Sequence, residues 1–509
     1  MKIIFVASDF SGLGKGTFAA SLGRVLLSFG VSTKIMKNDL YFNYDAGTIN
    51  PGEHGEVYVL KDGTEVDQDF GIYERFLNLE HTSTDYMTSG RLFHEIYLRE
   101  RAGEYLGQTV SIEHIIQELK QKIINFAETC QVGIVELGAT VGDIKGVYII
   151  EACRQLINEL GPENTSFVLL SYIPYLNNVG ELKTMGCQRS VGVLRSKGIK
   201  PDIIIARSSE CDELPDYQMD KIQLYCEIPK EAVYCFPDLP DYYQIPKRIR
   251  STSLHTYISN KMGIPLKEDK LDDWYENNFS PALPFRVALL GKYAHQDAYI
   301  SIVNQLKMFG VTSVDFISGP DESLKDYDGS IVPGGWGYRG IEDIISGITI
   351  CRENHIPCLG ICLGLQLMII EYARNVLGMK NANSLEFDEF TEWPVVTLQE
   401  DQKKESGLGG TARLGDWVTN LDLKSRLRKI YGHWSITQRH RHRYEISPHY
   451  SYGDFKIVGA DSKTKLIEAM ELDTHLFYIG VQYHPEFFIS RNPIFEGFVE
   501  AMKVNSIKN

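Results

Sequence analysis

Short runs of β-branched and aromatic residues recur along the first part of the chain, separated by stretches with apolar residues three or four positions apart. Apolar runs fall at 3–7, 32–36, 132–137, 167–172, 201–206 and 232–236. These predict buried strands, and the patterns between them, such as 17–29 and 111–128, predict helices. Strands alternating with helices specify a mostly parallel sheet covered on both faces. The pattern breaks at 272–284 (DDWYENNFSPALP), where polar and turn residues dominate. A second strand–helix series starts at 285–291 (FRVALLG), with further strands at 329–332, 358–361, 457–461 and 477–483. The chain therefore divides into residues 1–268, a linker over 269–284, and residues 285–509, giving two unequal α/β domains.

Composition narrows the class. The chain has 509 residues, and at roughly 150 residues per domain that allows about three domains or two large ones. It is 43% hydrophobic and 23% charged, enough for a packed core and contrary to wholesale disorder. Lys and Arg total 52 against 67 Asp and Glu, a net charge of −15 that argues against nucleic-acid binding over the whole surface. A local basic pocket for a small phosphorylated molecule remains compatible with it. No apolar run approaches the ~18 residues of a membrane span, so no membrane partner is expected. The start, MKIIFVAS, reads as a buried strand rather than a signal peptide. Nine cysteines, odd in number and without a CxxC pair, point to a reduced, cytoplasmic protein without a disulfide framework or zinc site.

Candidate chemistry clusters at two places. Ser11-Gly12-Leu13-Gly14-Lys15-Gly16-Thr17 follows the first strand and opens a helix. Glycines turn backbone N–H groups toward a phosphate, and a helix N-terminus favours the anion. The motif departs from the standard phosphate loop, with Asp9 in its first position and Gly16 between Lys15 and Thr17. Two acidic sites are candidates for a metal there: Asp67 with Asp69, and Glu136 at the end of a strong strand. Mg²⁺ takes one or two carboxylates plus phosphate oxygens, and the C-terminal end of a parallel strand faces the ligand crevice.

The second place is sharper. Gly360-Ile361-Cys362-Leu363-Gly364 stands between an apolar run and a helical pattern, a nucleophile elbow carrying Cys instead of Ser. His484-Pro485-Glu486, after a strand, supplies a base and an orienting acid, completing an acyl-transfer triad. Pro333-Gly334-Gly335 offers N–H groups for an oxyanion hole. Each element alone has a structural reading; the ordered set of three reads as catalytic.

These motifs resemble those of the CTP synthase family. The PGG, GICLG and HPE set is similar to a class I glutamine amidotransferase domain. In the first half the matching segments include SGLGKG (11–16), HGEV (54–57), GIYERFL (71–77), YLGQTV (105–110) and GELKT (180–184). In the second half they include PGGWGYRG (333–340), LGICLGLQ (359–366), GGTARLG (409–415) and RHRHRYE (439–445). The resemblance implies an N-terminal parallel-sheet, phosphate-loop-like amidoligase domain and a C-terminal α/β class I glutamine amidotransferase domain. It implies a ligase that aminates UTP to CTP at the expense of ATP, with ammonia from glutamine passed internally.

By motif position the resemblance assigns Gly12, Leu13, Gly14, Lys15, Gly16, Thr17 and Lys37 to ATP, with Pro237, Asp238 and Leu239 bordering the adenine. It assigns Mg²⁺ to Asp69 and Glu136. UTP and its product CTP fall to Ser11, Asp143, Ile144, Lys145, Lys183, Thr184, Met185, Gly186, Cys187, Gln188 and Lys221. Glutamine falls to Gly335, Leu363, Gly364, Leu365, Gln366, Glu386 and Arg443, and His54 is placed at the gate of the ammonia passage. A homotetramer and activation by GTP are implied in the same way. No residues are assigned to GTP, because the segment before GGTARLG is short.

Departures from the family pattern gather at the nucleotide end. Ala7-Ser8-Asp9-Phe10 stands where Gly-Gly is usual, and Met185-Gly186-Cys187 replaces a Lys-Pro-Thr stretch. Lys145 replaces an acid that helps bind the inhibitory CTP, so feedback by CTP is expected to be weakened. Two other readings follow from the sequence: a paralogue aminating a related or modified pyrimidine nucleotide, and a non-catalytic scaffold or filament protein. The intact Cys362, His484 and Glu486 weigh against the scaffold.

Overall fold

The apolar runs of the first part pair as the patterning predicts. The structure, a computed structural model, describes residues 1–209, 213–293, 296–319, 322–400, 402, 407 and 409–508. Among these, seven strands form one parallel sheet: β1 (Lys2–Ser8), β2 (Thr33–Asp39), β3 (Tyr86–Thr88), β4 (Val132–Thr140), β5 (Thr165–Tyr172), β6 (Ile203–Arg207) and β7 (Val233–Phe236). Their order is β7-β6-β5-β1-β4-β2-β3, with β1 at the centre. The central strands are buried along almost their whole length, as a sheet covered on both faces requires. The loops after β1, β4 and β5 leave from C-terminal strand ends, where ligands bind in open parallel sheets. Helix α1 (Lys15–Ser28) follows β1, and its Phe18, Leu22, Val25 and Leu26 pack into the core.

In the second part, β8 (Leu283–Leu289), β9 (Val311–Phe316), β10 (Gly329–Val332) and β11 (Cys358–Ile361) pair in parallel. Strands β12 (Arg413–Leu421), β13 (Ser435–His442), β14 (Phe455–Asp461), β15 (Ile467–Leu472) and β16 (Tyr478–Val481) extend the sheet, in the order β9-β8-β10-β11-β16-β15-β14-β12-β13. Strand β16 is parallel to β11, and pairing is antiparallel beyond it. The central pair β11–β16 therefore ends beside residues 362 and 482–486.

The domain boundary differs from the one read in the sequence. The compact units are Met1–Asp45 with Ile72–Tyr275, and Ala46–Gly71 with Glu276–Asn509. Two features of the chain account for this. Part of the expected linker, 269–284, is the helix Leu271–Asn278, which buries Leu271, Trp274 and Tyr275. Tyr275 Oη donates to the Tyr243 carbonyl and Arg250 pairs with Asp272, which ties the start of this helix to the first unit. Residues 46–71, which follow β2, pack instead in the second unit. There Tyr58 Oη donates to the Phe487 carbonyl at 2.8 Å, Arg439 donates to Tyr58 Oη at 2.6 Å, and the carboxylate of Glu56 accepts from Ser301. Among the described residues no helix is long and apolar enough to cross a membrane, and the eight described cysteines are free thiols. Cys211 lies outside the described residues.

Candidate active sites

Cys362 stands at the turn from β11 into the helix α3 (Leu363–Asn375) with φ 53° and ψ −104°. A non-glycine residue held at positive φ carries strain that only a surrounding scaffold can impose. The flanking glycines are obligatory. A Cβ on Gly360 would lie 2.8 Å from the Gly364 carbonyl carbon, and one on Gly364 would collide with the Val332 carbonyl oxygen. The Cys362 N–H donates to the Val481 carbonyl at 2.7 Å, locking the elbow to β16. The thiol thus sits at the N-terminus of α3.

The base is preset. His484 Nδ1 bonds Glu486 Oε1 at 2.7 Å, and its ring stacks on Phe487 at 4.8 Å between centroids. Burial alone would lower the imidazole pKa. The adjoining Glu486 carboxylate and Cys362 thiolate outweigh it and raise the pKa to about 10. His484 is thereby held as an imidazolium beside Cys362 and Glu486, the charge state of the base that a Cys–His–Glu acyl-transfer site uses. Gly334 lies against both reacting side chains: a Cβ there would sit 2.9 Å from His484 Cε1 and 3.6 Å from Cys362 Cβ. That leaves its peptide able to approach an oxyanion. Together these groups line a cavity of about 50 Å³ with Trp336, Arg441, Tyr299, Glu56 and Val57. Two of these walls come from the 46–71 segment.

The residues expected to hold glutamine are only partly assembled around this cavity. Glu386 accepts from the Gly337 N–H, and Lys292 Nζ donates to the carbonyls of Trp336 and Gly337. Burial lowers Lys292 to about 8 against the pull of Glu386, and burial raises Glu386. Leu363 and Leu365 are buried in the core, so what they offer a substrate is backbone. Gln366 is buried, with its Nε2 3.2 Å from both the Tyr444 carbonyl and Gln482 Oε1. Arg443 donates to Gln402 Oε1 at 2.6 Å and Thr411 Oγ1 at 2.7 Å, whereas Arg441 lines the thiol cavity. Arg441 in turn donates to Glu65 at 2.7 Å.

Behind the triad, His440, His442 and Glu468 converge, fully enclosed. Burial pushes His442 down to about 3, holds His440 well below its usual value, and pushes Glu468 up to about 7. The two imidazoles bond each other at 3.0 Å, and Arg413 joins Glu468 to Asp461. Within this cluster His440 Nε2 and Glu468 Oε2 are buried without a hydrogen-bond partner.

In the first unit the glycine-rich loop 11–17 joins β1 to α1. Gly12 and Gly14 have φ of 78° and 76°, and a Cβ on either would meet nothing within 4 Å. Lys15 Nζ donates to Ser8 Oγ at 3.1 Å. A cavity of about 130 Å³ joins Leu13, Gly14 and Thr17 to Asp238 and Leu239, the segment expected to border adenine. Arg207, Phe236, Tyr242 and Ile245 complete its walls. Arg207 fixes the segment by donating to the Phe236 and Pro237 carbonyls, both at 2.9 Å, and to Asp238 at 2.6 Å. Lys37, 5% exposed, is paired in register with Glu136 on β4 and lies 3.7 Å from Asp39. Glu136 accepts from Tyr73 Oη and is 2% exposed. Asp69, the other expected metal ligand, opens the helix Asp69–Leu77, and its N–H donates to Asp67. Asp69 and Glu136 fall in different compact units.

The pyrimidine set is spread over four segments of this unit: Ser11, residues 143–145, residues 183–188 and Lys221. Asp143 caps the turn carrying Ile144 and Lys145, both exposed, with its carboxylate accepting from the Lys145 N–H at 2.9 Å. Lys183 pairs with Glu181, and Thr184 caps helix α2 (Met185–Ser196) while accepting from Gln188 at 3.0 Å. Lys221 lies over the Tyr217 ring at 4.0 Å. Met185, Gly186 and Ser11 are exposed. Cys187, expected in the pyrimidine set, is fully buried in the hydrophobic core, so its thiol packs as a small apolar group. His54, expected at the ammonia gate, ends the short helix Pro51–His54 and is exposed.

Residues 2–264 match the family model described as CTP synthase N-terminus, and residues 295–501 match glutamine amidotransferase class-I. The CTP synthase of Thermotoga maritima is 42% identical to this chain over 95% of each. That of Aquifex aeolicus is 42% identical over 98% of each, and that of Thermococcus kodakarensis 42% over 99% of this chain and 98% of its own. The chain belongs to the CTP synthase family.

Against the CTP synthase pattern, the altered first loop carries its own replacement for what it lacks. Asp9 Oδ1 accepts from the Tyr172 N–H at 3.0 Å, and Oδ2 accepts from Ser171 and, at 3.3 Å, from Ser190 on α2. One carboxylate so ties the phosphate loop to β5 and to the helix that opens the expected pyrimidine segment. Burial raises the pKa of Asp9, and these donors oppose the rise. Sequence reasoning missed Arg207, Lys292 and Gln482. Each is a single polar residue in or beside an apolar run, and only its partners, remote in sequence, reveal it.

Proposed function

We propose that this protein aminates UTP to CTP, using ATP and glutamine. The observation that carries the reading is the strained Cys362 elbow set against an imidazolium at His484. The Cys362 sulfur attacks the glutamine carboxamide carbon, and the peptide at Gly334 receives the developing oxyanion. His484 gives its proton to the departing ammonia and then takes one from the water that hydrolyses the thioester, releasing glutamate. Glu486 orients the imidazole throughout and stabilises its charged form whenever it holds the proton.

In the first unit the loop from Gly12 to Thr17, with Lys15 and Lys37, holds ATP, and the cavity bordered by Asp238 and Leu239 takes its base. The γ-phosphoryl group passes to the uracil O4, and ammonia displaces the phosphate at C4. Several lysines near a substrate bearing about four negative charges suit this step. Of the two carboxylates expected to hold Mg²⁺, Asp69 and Glu136, only Glu136 belongs to this unit; a hard oxygen donor suits the ion, which when bound would neutralise phosphate charge. Lys183, Thr184, Gln188 and Lys221 are assigned to UTP, and His54 to the ammonia passage. Arg443 and Glu386 are assigned to the glutamine carboxylate and amine. A cytoplasmic homotetramer and activation by GTP complete the reading.

The deciding experiment is a coupled assay with UTP, ATP, Mg²⁺ and glutamine, with and without GTP and CTP. CTP formation is expected with either glutamine or ammonia. Cys362→Ala should abolish the first and keep the second. A protein inactive with both nitrogen donors would be a scaffold instead. The exposed Lys145, a charge reversal against the family, favours one further reading, in which the base or ribose differs from uridine. A panel of pyrimidine nucleotides in which UTP is turned over poorly and another substrate well would establish it.

A further inference from the structure

Besides the His484 imidazole, two polar groups lie within hydrogen-bonding range of the Cys362 sulfur, and one of them is a donor. Gln482 follows β16 directly and is fully buried. Its main-chain N–H donates to the Glu468 carbonyl at 2.8 Å, which fixes the backbone. Its side-chain Nε2 lies 3.6 Å from Cys362 Sγ. Its Oε1 accepts from Gln366 Nε2 at 3.2 Å. The orientation of the amide follows from this pairing, because Oε1 is already occupied by a donor. An amide N–H can only donate, and a donor favours the ionised sulfur over the neutral thiol. The other near group, the Arg441 carbonyl at 3.7 Å, can only accept and so favours the thiol.

We propose that Gln482 is a further catalytic residue of glutamine hydrolysis: its amide holds Cys362 Sγ as the thiolate and links it to Gln366 at the substrate pocket. No proton or electron moves through the amide. The sulfur forms its bond to the carboxamide carbon, the C–N bond breaks, and the proton reaches ammonia from His484. Gln482 sets the population and direction of the attacking lone pair. Because Gln366 is assigned to the glutamine site, a substrate that moves Gln366 also moves the donor on the sulfur. The proposal rests on the glutaminase reading of Cys362.

The test uses the full-length protein and reads the thiol directly. Gln482→Met keeps the volume and removes the donor, and Gln482→Glu replaces one donor group by an acceptor. Alkylation of Cys362 by iodoacetamide, followed by mass spectrometry, is timed at pH 7 and at pH 10. In Gln482→Met the rate at pH 7 is expected to fall about tenfold, the size of one charge-assisted hydrogen bond, with the rate at pH 10 equal to wild type. Gln482→Glu should be slower still at pH 7, and kcat for glutamine should fall in the same order. Equal rates at pH 7 in wild type and both variants overturn the proposal. Equal slowing at both pH values also overturns it, since the side chain would then act by packing alone. Melting temperatures identify a variant that fails to fold; Gln366→Met, which cuts the link without touching the sulfur, then decides, with an unchanged alkylation rate at pH 7 counting against the proposal. Alkylation needs no nucleotide or glutamine, so a wild type that hydrolysed no glutamine would refute the proposed function while leaving this result readable.

Discussion

His484 keeps its proton because Glu486, and after it Cys362, raise its pKa against burial, and this has a pH signature. Its pKa rises from the usual 6.5 to about 10 in the folded protein. A raised folded-state pKa contributes stability that is complete below the unfolded value and disappears as pH climbs through the folded one. Replacing Glu486 by Gln removes the largest of the raising influences. The stability gap between wild type and Glu486→Gln should be widest near pH 6 and narrow steadily toward about pH 10. Thermal unfolding at several pH values would show it, and a gap constant with pH would mean His484 is not charged. The other residue-scale prediction concerns Lys145. Its side chain is exposed on the turn capped by Asp143, so a charge change there perturbs little packing. Lys145→Glu should tighten CTP inhibition without loss of stability, read as a fall in the CTP concentration for half-inhibition. Ordinary tight inhibition in wild type would remove the motive. The triad residues were legible in sequence because motif and neighbours lie side by side. Gln482 was not: one glutamine ahead of Tyr-His carries no local mark of the sulfur it meets.

At the level of elements, the strand pattern translated directly, since buried parallel strands are written as continuous apolar runs. Strand β11 has the bounds its pattern predicts, 358–361, while β2 runs on to Asp39 past the apolar run because Lys37 and Asn38 are buried polar residues. The helix Leu271–Asn278 reads as linker in the sequence because it lies in a polar stretch, and its packing rests on only three buried residues, Leu271, Trp274 and Tyr275. The elbow between β11 and α3 is the element on which glutamine chemistry depends most sharply. Gly364→Ala would drive a methyl group into the Val332 carbonyl, a backbone atom that cannot swing aside. The elbow must then shift, at a cost of about 1–3 kcal/mol in stability. A displacement near 1 Å at a nucleophile costs roughly 100-fold in rate. Glutamine-dependent turnover should fall by that order while ammonia-dependent turnover persists; equal turnover with glutamine in mutant and wild type would show that the elbow tolerates a Cβ.

Across the whole molecule, the feature least visible in the sequence is the path of residues 46–71. They follow a strand of the first sheet and fall inside the segment matched by the N-terminal family model, yet they pack with the second unit. Contacts this remote in the chain leave no periodic trace, because each is made by a single side chain. The consequence is that part of the glutaminase wall is encoded near the N-terminus. Glu65, 5% exposed, accepts from Arg441 Nε at 2.7 Å, and Arg441 lines the cavity at Cys362 and lies 5.7 Å from the Trp336 ring. Removing the carboxylate leaves a largely buried guanidinium without its charge partner, a loss of about 3 kcal/mol for such pairs. Arg441 would then turn toward other acceptors or toward water, and its carbonyl, which faces the sulfur at 3.7 Å, would move with it. Glu65→Ala should therefore lower kcat for glutamine hydrolysis and destabilise the second unit, with ammonia-dependent CTP formation much less affected. Glu65→Gln, which keeps an oxygen acceptor but not the charge, should fall between. Steady-state kinetics with glutamine and with ammonia separate the two activities. If Glu65→Ala reduces both equally, residues 46–71 serve the amination chemistry itself and not the glutaminase wall.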